Sequence, residues 1–180
     1  MADTTAETVY LAAALVCAFG GAYFDYRSRR IPNWLTASST LLGLALHALL
    51  GGWRGMGTAM LAGLAAGMAF LLFYLAGGMG GGDVKLIAAV GACAGLSHVV
   101  AILIATAIAG GIFAVALALV AGRLRQTLSN VVKLLSHHGS AGLQPHPDLN
   151  LGNSRALRLP YGLAIGAGTA MTLFGVLLGQ

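Results

Sequence analysis

The chain has 180 residues, of which 58% are hydrophobic and only 8% are charged. Soluble domains carry about 25% charged residues, so this composition excludes an ordinary water-soluble fold. The mean hydropathy of +0.84 and the long apolar runs predict a polytopic membrane protein. We therefore interpret the formal charge of +5 as lysine and arginine in cytoplasmic loops, and expect no nucleic-acid partner.

The predicted fold is all-α, with about six transmembrane helices in a single membrane-embedded domain over residues 1–180, and with the N- and C-termini outside. The predicted helices cover residues 8–24, 34–50, 56–76, 83–96, 99–121 and 160–178. The fourth is shorter than the about 20 residues of a full crossing. Fusing it with the fifth would place the later basic residues outside, against the positive-inside bias, so we predict a break near residues 95–98.

A basic amphipathic segment is predicted at residues 123–136, on the cytoplasmic surface of the membrane. Its apolar residues fall on one helical face: Leu124, Leu128, Val131, Val132 and Leu135. The alternative is a cytoplasmic extension of the fifth membrane helix. Residues 137–154, rich in Gly, Pro, Asn and Ser, are predicted to form a loop.

Two of the five acidic residues, Asp25 and Asp83, border membrane segments on the predicted inner side. Charge counting places both at the same depth, near the cytoplasmic interface. Two neighbouring carboxyl groups can share a proton, because both cannot easily ionise at close range. One can then act as a base toward water and the other as an acid toward a carbonyl, as in aspartic proteases.

Each acid also has a simpler interpretation. Asp83 follows residues 77–82, five of which are glycine, and could cap the N-terminus of a helix. Asp25 could be a flanking acid paired with Arg27 or Arg29. Glycine lets another chain approach the backbone closely, so the two acids beside this run together favour catalysis.

Three stretches resemble the type IV prepilin peptidases. Residues 78–86 (Gly-Met-Gly-Gly-Gly-Asp-Val-Lys-Leu) resemble the GxGD signature of that family, with residues 80–83 as the GxGD itself. Residues 25–33 resemble its first catalytic motif, an aspartate followed by basic residues and Ile-Pro-Asn. Residues 160–162 (Pro-Tyr-Gly) match a Pro-aromatic-Gly element at the start of its last helix.

The resemblance implies a membrane aspartic endopeptidase that cleaves the basic leader of type IV prepilins and pseudopilins at the cytoplasmic face. Asp25 and Asp83 would be the catalytic pair, activating water without a metal, another cofactor or a covalent intermediate. Further substrate-binding or loop positions would be Gly80, Gly81, Gly82, Lys85, Pro160, Tyr161 and Gly162. For Lys85 an interfacial anchor is the simpler interpretation.

The implied location is multi-pass in the bacterial cytoplasmic (inner) membrane. The implied partners are prepilin and pseudopilin substrates and the lipid bilayer, with the pilus assembly machinery as a further candidate. Larger, bifunctional members carry CxxC cysteine pairs in an extra cytoplasmic region and methylate the new N-terminus. Here only residues 26–33 follow Asp25 before the second helix, and Cys17 and Cys93 form no such pair. We therefore expect no methyltransferase activity, and the chain resembles the peptidase-only branch that serves tight-adherence, or Flp-type, pili.

Two other functions compete with this one. In a non-enzymatic membrane subunit or small transporter, both acids would serve an ion path or helix pairing. A transporter should show repeats and broken helices near the middle of the membrane, and the sequence has no repeat. In a presenilin-type intramembrane protease, both aspartates would lie deeper, and the arginines after Asp25 argue against that depth.

The histidine-rich stretch offers a candidate metal site. His137, His138 and His146 with Asp148 supply suitable ligand types. Their spacing matches no established zinc pattern, so we prefer a solvated loop and predict no metal.

Overall fold

The computed structural model describes residues 2–144, 146, 147, 149 and 159–179. These residues form no strand, and their helices are α1 (Ala2–Ser28), α2 (Asn33–Leu75), α3 (Gly81–Ala94), α4 (Leu96–Val120), α5 (Leu124–Ala141) and α6 (Tyr161–Leu178). Four helices in this part of the chain, α1, α2, α4 and α6, are long and apolar enough to cross a membrane. The prediction of an all-α polytopic membrane protein is confirmed.

Helix α2 is a hairpin of two arms. Its 43 residues are interrupted at Gly52, whose φ of 63° and ψ of −160° are not helical. A Cβ on Gly43 would lie 2.7 Å from the carbonyl oxygen of Ala92, and one on Gly63 would lie 3.1 Å from the Ala92 Cβ. A straight helix would hold these two glycines about 30 Å apart. The chain therefore folds back at Gly52, within the turn that the sequence predicts between residues 50 and 56.

One end of the bundle, here called the aspartate end, gathers Asp25 of α1, Asp83 of α3 and Gly162 of α6. The Asp25 carboxylate accepts a hydrogen bond from the backbone N–H of Gly162, and the charges of Asp25 and Asp83 interact. Lys85 of α3 donates a hydrogen bond of 3.1 Å to the Asn33 side chain at the start of α2. The ends of α1 and the starts of α2, α3 and α6 thus meet here.

The opposite end is marked by Tyr10 of α1 and His47 of α2, whose rings stack with centroids 3.6 Å apart. The His47 Nε2 atom lies 3.1 Å from the carbonyl oxygen of Cys93, near the end of α3. The break between α3 and α4 follows at Gly95, which has a φ of 77°. Successive helical segments therefore alternate in direction, and the starts of α1 and α4 share this end with the end of α3.

Helix α3 is the most enclosed helix of the described bundle, although it has only 14 residues. A Cβ on Gly21 of α1 would clash with the Leu86 side chain, and one on Gly91 would lie 2.9 Å from the carbonyl oxygen of Ala62 in α2. Small residues of this kind allow helix backbones to approach closely in membranes. The buried residues of α3 are Leu86, Ile87, Ala89, Val90, Gly91, Ala92, Cys93 and Ala94. Asp83 is therefore carried by a firmly packed helix.

A glycine turn separates α4 from α5. Gly122 has a φ of 65°, and its N–H donates to the carbonyl oxygen of Leu119. The N–H of Arg123 donates to the carbonyl oxygen of Ala118 at 2.9 Å. These bonds form a Schellman motif, which ends a helix. Residues 123–136 are thus not a continuation of the fifth membrane helix.

Two helices end later in the chain than the sequence predicts. Helix α1 continues from the predicted end at residue 24 to Ser28, where Arg29 takes a left-handed φ of 54°. Helix α5 continues past residue 136 to Ala141, because Gly142 is the first residue after its start with a positive φ. The start of the predicted loop at residue 137 is therefore wrong. Two of the later basic residues that the positive-inside bias places on the inner side, Arg155 and Arg158, lie outside the described part of the chain.

Candidate functional site

Asp25 lies in the last turns of α1 and is only 8% exposed. Its Oδ2 atom accepts a hydrogen bond of 2.9 Å from the backbone N–H of Gly162. That N–H belongs to the first turn of α6, where backbone donors lack an intrahelical acceptor. The N-terminal dipole of α6 also stabilises a negative charge at this position. The contact thus fixes the carboxyl group of one helix against the start of another.

Gly162 allows this contact because it has no side chain. A Cβ at Gly162 would lie 3.0 Å from the Asp25 Cβ and 3.1 Å from the Ala22 Cα, both closer than ordinary packing. Pro160 is the N-cap residue of α6, with a φ of −68° that suits a helix start. The Pro-Tyr-Gly element therefore starts α6 and brings its backbone to Asp25.

Asp83 lies in the first turn of α3, and the N-cap of that helix is Gly80. The Asp83 carboxyl group accepts a hydrogen bond from the backbone of Gly80. An acidic side chain in the first turn of a helix often bonds in this way to the backbone of the N-cap residue. Its Oδ1 atom is buried and has no hydrogen-bond partner among the residues that the structure describes. A buried polar atom without a partner is uncommon in proteins, and this oxygen is free to accept a hydrogen bond from a molecule that enters the site.

The structure brings the two aspartates together. The Asp83 carboxyl group is largely buried, and the Asp25 carboxyl group lies close enough to interact with it electrostatically. Each carboxyl group is bonded to the backbone at the start of a helix, Asp25 to α6 and Asp83 to α3. Two carboxyl groups in this arrangement can hold one proton between them and offer one acid and one base.

Tyr161 is the aromatic member of this site. Its hydroxyl group interacts with the charge of Asp83, and its ring packs edge-on against Phe70 with centroids 5.9 Å apart. A Cβ on Gly110 of α4 would lie 2.8 Å from the Tyr161 hydroxyl oxygen. Gly110 therefore provides the space that the tyrosine occupies. The apolar sequence of α4 does not distinguish Gly110 from the neighbouring small residues, so the sequence interpretation missed it.

The glycine run begins as the cap of α2. Gly77 has a φ of 75°, and its N–H donates to the carbonyl oxygen of Tyr74 at 3.0 Å. The N–H of Gly78 donates to the carbonyl oxygen of Phe73 at 3.0 Å. This is a second Schellman motif, so the first glycines of the run end a helix.

The remaining glycines lie at and inside the start of α3, two residues before the predicted start at Asp83. A Cβ on Gly80 would lie 3.2 Å from the Asp83 Oδ2 atom, so a side chain there would crowd the carboxylate. The side chains nearest to Gly80, Gly81 and Gly82 are Asp83, Tyr74 and Ile31, respectively. The glycine run therefore forms the end of α2 and the start of α3, joined by a short link, and does not form a long flexible loop.

Lys85, two residues after Asp83, is exposed, and its ammonium group donates a hydrogen bond to the Asn33 side chain. Among the described residues, no group of three His, Cys, Asp or Glu side chains could hold a metal ion. His137 and His146 pack edge to face, and ring nitrogens of both contact the backbone, at Gln144 and Leu149. The fourth residue of that candidate metal site, Asp148, lies outside the described residues.

The fold and the site define a class: all-α polytopic membrane proteins with two interacting carboxyl groups at one end of the helix bundle. A model of the type IV leader peptidase family matches residues 9–115, which is more than half of the chain and includes Asp25 and Asp83. The chain therefore belongs to the type IV leader peptidase family, and it is a peptidase. Comparison with curated proteins and with solved structures found no match. Membership of this family favours the peptidase hypothesis for this chain over the transporter hypothesis.

Proposed function

We propose that this protein is an aspartic endopeptidase that removes the basic leader of Flp-type prepilins and pseudopilins, with Asp25 and Asp83 as its catalytic pair. The observation that carries this proposal is the pair itself: two interacting carboxyl groups, one of which presents a buried oxygen without a partner among the described residues. The binding site of a transporter typically lies near the middle of the membrane, whereas these two acids lie at one end of the bundle.

The mechanism uses one ionised and one protonated carboxyl group. The ionised group takes a proton from a water molecule as the water oxygen attacks the scissile carbonyl carbon, and the protonated group gives its proton to the carbonyl oxygen. The resulting tetrahedral diol collapses when the C–N bond breaks. The first carboxyl group then passes its proton to the leaving amine, and the second takes the diol proton back.

Charge supports the orientation of the protein in the bacterial cytoplasmic membrane. The described basic residues at or beyond the aspartate end are Arg27, Arg29, Arg30, Lys85, Arg123, Arg125 and Lys133. At the opposite end the corresponding residue is Arg54, in the turn of the α2 hairpin. By the positive-inside bias, the aspartate end faces the cytoplasm and both termini lie outside.

For cleavage, the substrate must place its scissile peptide bond beside the two carboxyl groups, within an extended segment. The first-turn N–H groups of α3, at Gly81 and Gly82, belong to the kind that lacks an intrahelical acceptor. They can bind the carbonyl groups of an extended leader, in the manner of strand addition. Tyr161, packed near Asp83, and Lys85 at the rim would bound this peptide.

The test is cleavage of a co-expressed Flp-type prepilin by the wild type, Asp25→Asn and Asp83→Asn. Asparagine keeps the size of the side chain and removes its titratable proton. We expect both variants to accumulate uncleaved prepilin, while Glu7→Gln, beside the cavity at the opposite end, cleaves normally. Normal processing by either aspartate variant would show that the pair is not catalytic.

A second readout addresses the branch of the family. The mature pilin from the same cells is analysed by mass spectrometry of its N-terminal peptide. We expect an unmethylated N-terminus, because the segment between α1 and α2 is too short to form an additional cytoplasmic region. A methylated N-terminus in cells that contain only this enzyme would contradict the peptidase-only assignment.

A further inference from the structure

Helix α5 has an apolar face that the described protein leaves uncovered. No residue of α5 is buried. Val132 is 66% exposed and Leu135 is 69% exposed, which is close to the 74% of Val16 on the membrane-spanning helix α1. Leu128 and Val131, on the same face, are exposed as well. An exposed apolar stripe of this length usually marks a surface that is buried against lipid or another molecule.

The position of α5 in the fold indicates what covers it. The membrane-spanning helix α4 ends at Val120, and the Schellman turn at Gly122 redirects the chain. Helix α5 then begins at Leu124, so its apolar face starts at the level where the apolar surface of α4 ends. The apolar medium closest to that face is the lipid bilayer that surrounds α4.

The charges of α5 indicate which type of lipid this helix would bind. The helix and its N-cap carry Arg123, Arg125 and Lys133, and the sequence from residue 123 to 141 contains no Asp or Glu. These three cations line a polar groove of about 480 Å³ together with Gln126 and Asn130. Helical periodicity places Lys133 opposite Leu124 and Leu128, so the apolar and basic faces are distinct. This pattern is typical of interfacial helices that bind anionic membranes.

We propose that α5 lies in the membrane interface at the aspartate end, with its apolar face among the lipids and its basic residues held by anionic phospholipid headgroups. The lipid surface is chosen over a protein partner because α5 follows a membrane helix after a turn of three residues and its charge complements anionic lipid. This surface is separate from the catalytic pair, so the proposal stands or falls independently of the peptidase mechanism.

The experiment places an environment-sensitive fluorophore on α5 of the full chain in lipid nanodiscs. Leu128→Cys carries the label on the apolar face and Ser129→Cys carries it on the polar face. The native cysteines are buried and leave the new thiol as the reactive one. Nanodiscs contain phosphatidylcholine alone, or equal parts of phosphatidylcholine and phosphatidylglycerol. Both contain a lipid with a nitroxide quencher high on the acyl chain.

We expect the label at residue 128 to be quenched, more strongly with phosphatidylglycerol, and the label at residue 129 to remain bright. Arg125→Gln and Lys133→Gln should each lower the equilibrium for docking by about fivefold in the anionic nanodiscs, and much less in phosphatidylcholine. High salt should reduce the anionic preference in the same way. Equal quenching in the two lipids would overturn the headgroup assignment. A bright label at residue 128 in both would overturn the placement of α5 among the lipids.

Discussion

The contact between Gly162 and Asp25 permits a sharp test of how the site is built. In Gly162→Ala, the new methyl group would lie 3.0 Å from the Asp25 Cβ and 3.1 Å from the Ala22 Cα. Contacts this short force the neighbours to move by a few tenths of an ångström. The start of α6 must therefore shift from α1, and the hydrogen bond from Gly162 to Asp25 must lengthen from its 2.9 Å.

The size of the effect follows from the type of bond. A hydrogen bond to a charged group contributes about 1.5–3 kcal/mol. If this hydrogen bond positions Asp25 for catalysis, its loss corresponds to a decrease of about 10- to 150-fold in kcat/KM, because about 1.4 kcal/mol is a factor of ten. Overpacking of the α1–α6 contact should also lower the free energy of unfolding, by about 1–3 kcal/mol.

The assay is cleavage of a purified prepilin by the purified enzyme in proteoliposomes, with thermal unfolding measured in parallel. The matched control is Gly166→Ala, one turn further along α6 against α1, where a Cβ would meet the Ala22 Cβ at an ordinary 3.7 Å. We expect the control to retain wild-type cleavage. If Gly162→Ala cleaves like the wild type, or if both variants lose the same activity, the contact does not position Asp25.

Two further variants test the packing around the site. Gly110→Ala places a methyl group 2.8 Å from the Tyr161 hydroxyl oxygen, so the ring must move and cleavage should fall by about 10- to 100-fold, while Gly111→Ala meets nothing within 4 Å and should remain active. Gly168→Ala places a methyl group 2.5 Å from the backbone nitrogen of Thr106, so α4 and α6 must separate. We expect a lower Tm in thermal unfolding and a loss of at least about 1–3 kcal/mol of stability.

The control for the last variant is Gly175→Ala on the same helix, where a new Cβ meets nothing within 4 Å. Its Tm should stay near that of the wild type. A Tm for Gly168→Ala equal to that of Gly175→Ala would contradict the close α4–α6 contact. Equal activity of the Gly110 and Gly111 variants would show that the position of Tyr161 does not matter for cleavage.

Local patterns in the sequence were sufficient for much of the fold. The two arms of α2 follow from two apolar runs with a glycine between them that can take a φ of 63°. The helix ends were less predictable, because capping decides them. Asp25 was expected after the first helix, and the structure places it inside α1, which continues to Ser28. Residues 81 and 82 were expected in a loop, and they form the first turn of α3.

For the candidate site, the sequence motifs identify the two aspartates but not the residues that surround them. Asp25 and Asp83 stand out because acids are rare in this chain and border membrane segments. Their surroundings depend on contacts between distant parts of the chain. The bond from Gly162 to Asp25 spans 137 positions, and the space for Tyr161 comes from a glycine of α4. Such contacts arise from helix packing, which the spacing of residues within one segment does not determine.

The most direct test of the central claim is the kinetics of Asp25→Asn, Asp83→Asn and the double variant on one purified prepilin. Residues that act as a unit lose activity non-additively. If the two carboxyl groups form one acid–base pair, each single variant loses about 10²–10⁴-fold or more in kcat, and the double variant loses no more than either single one. Losses that multiply in the double variant, or a single variant with kcat near that of the wild type, would contradict the two-aspartate mechanism.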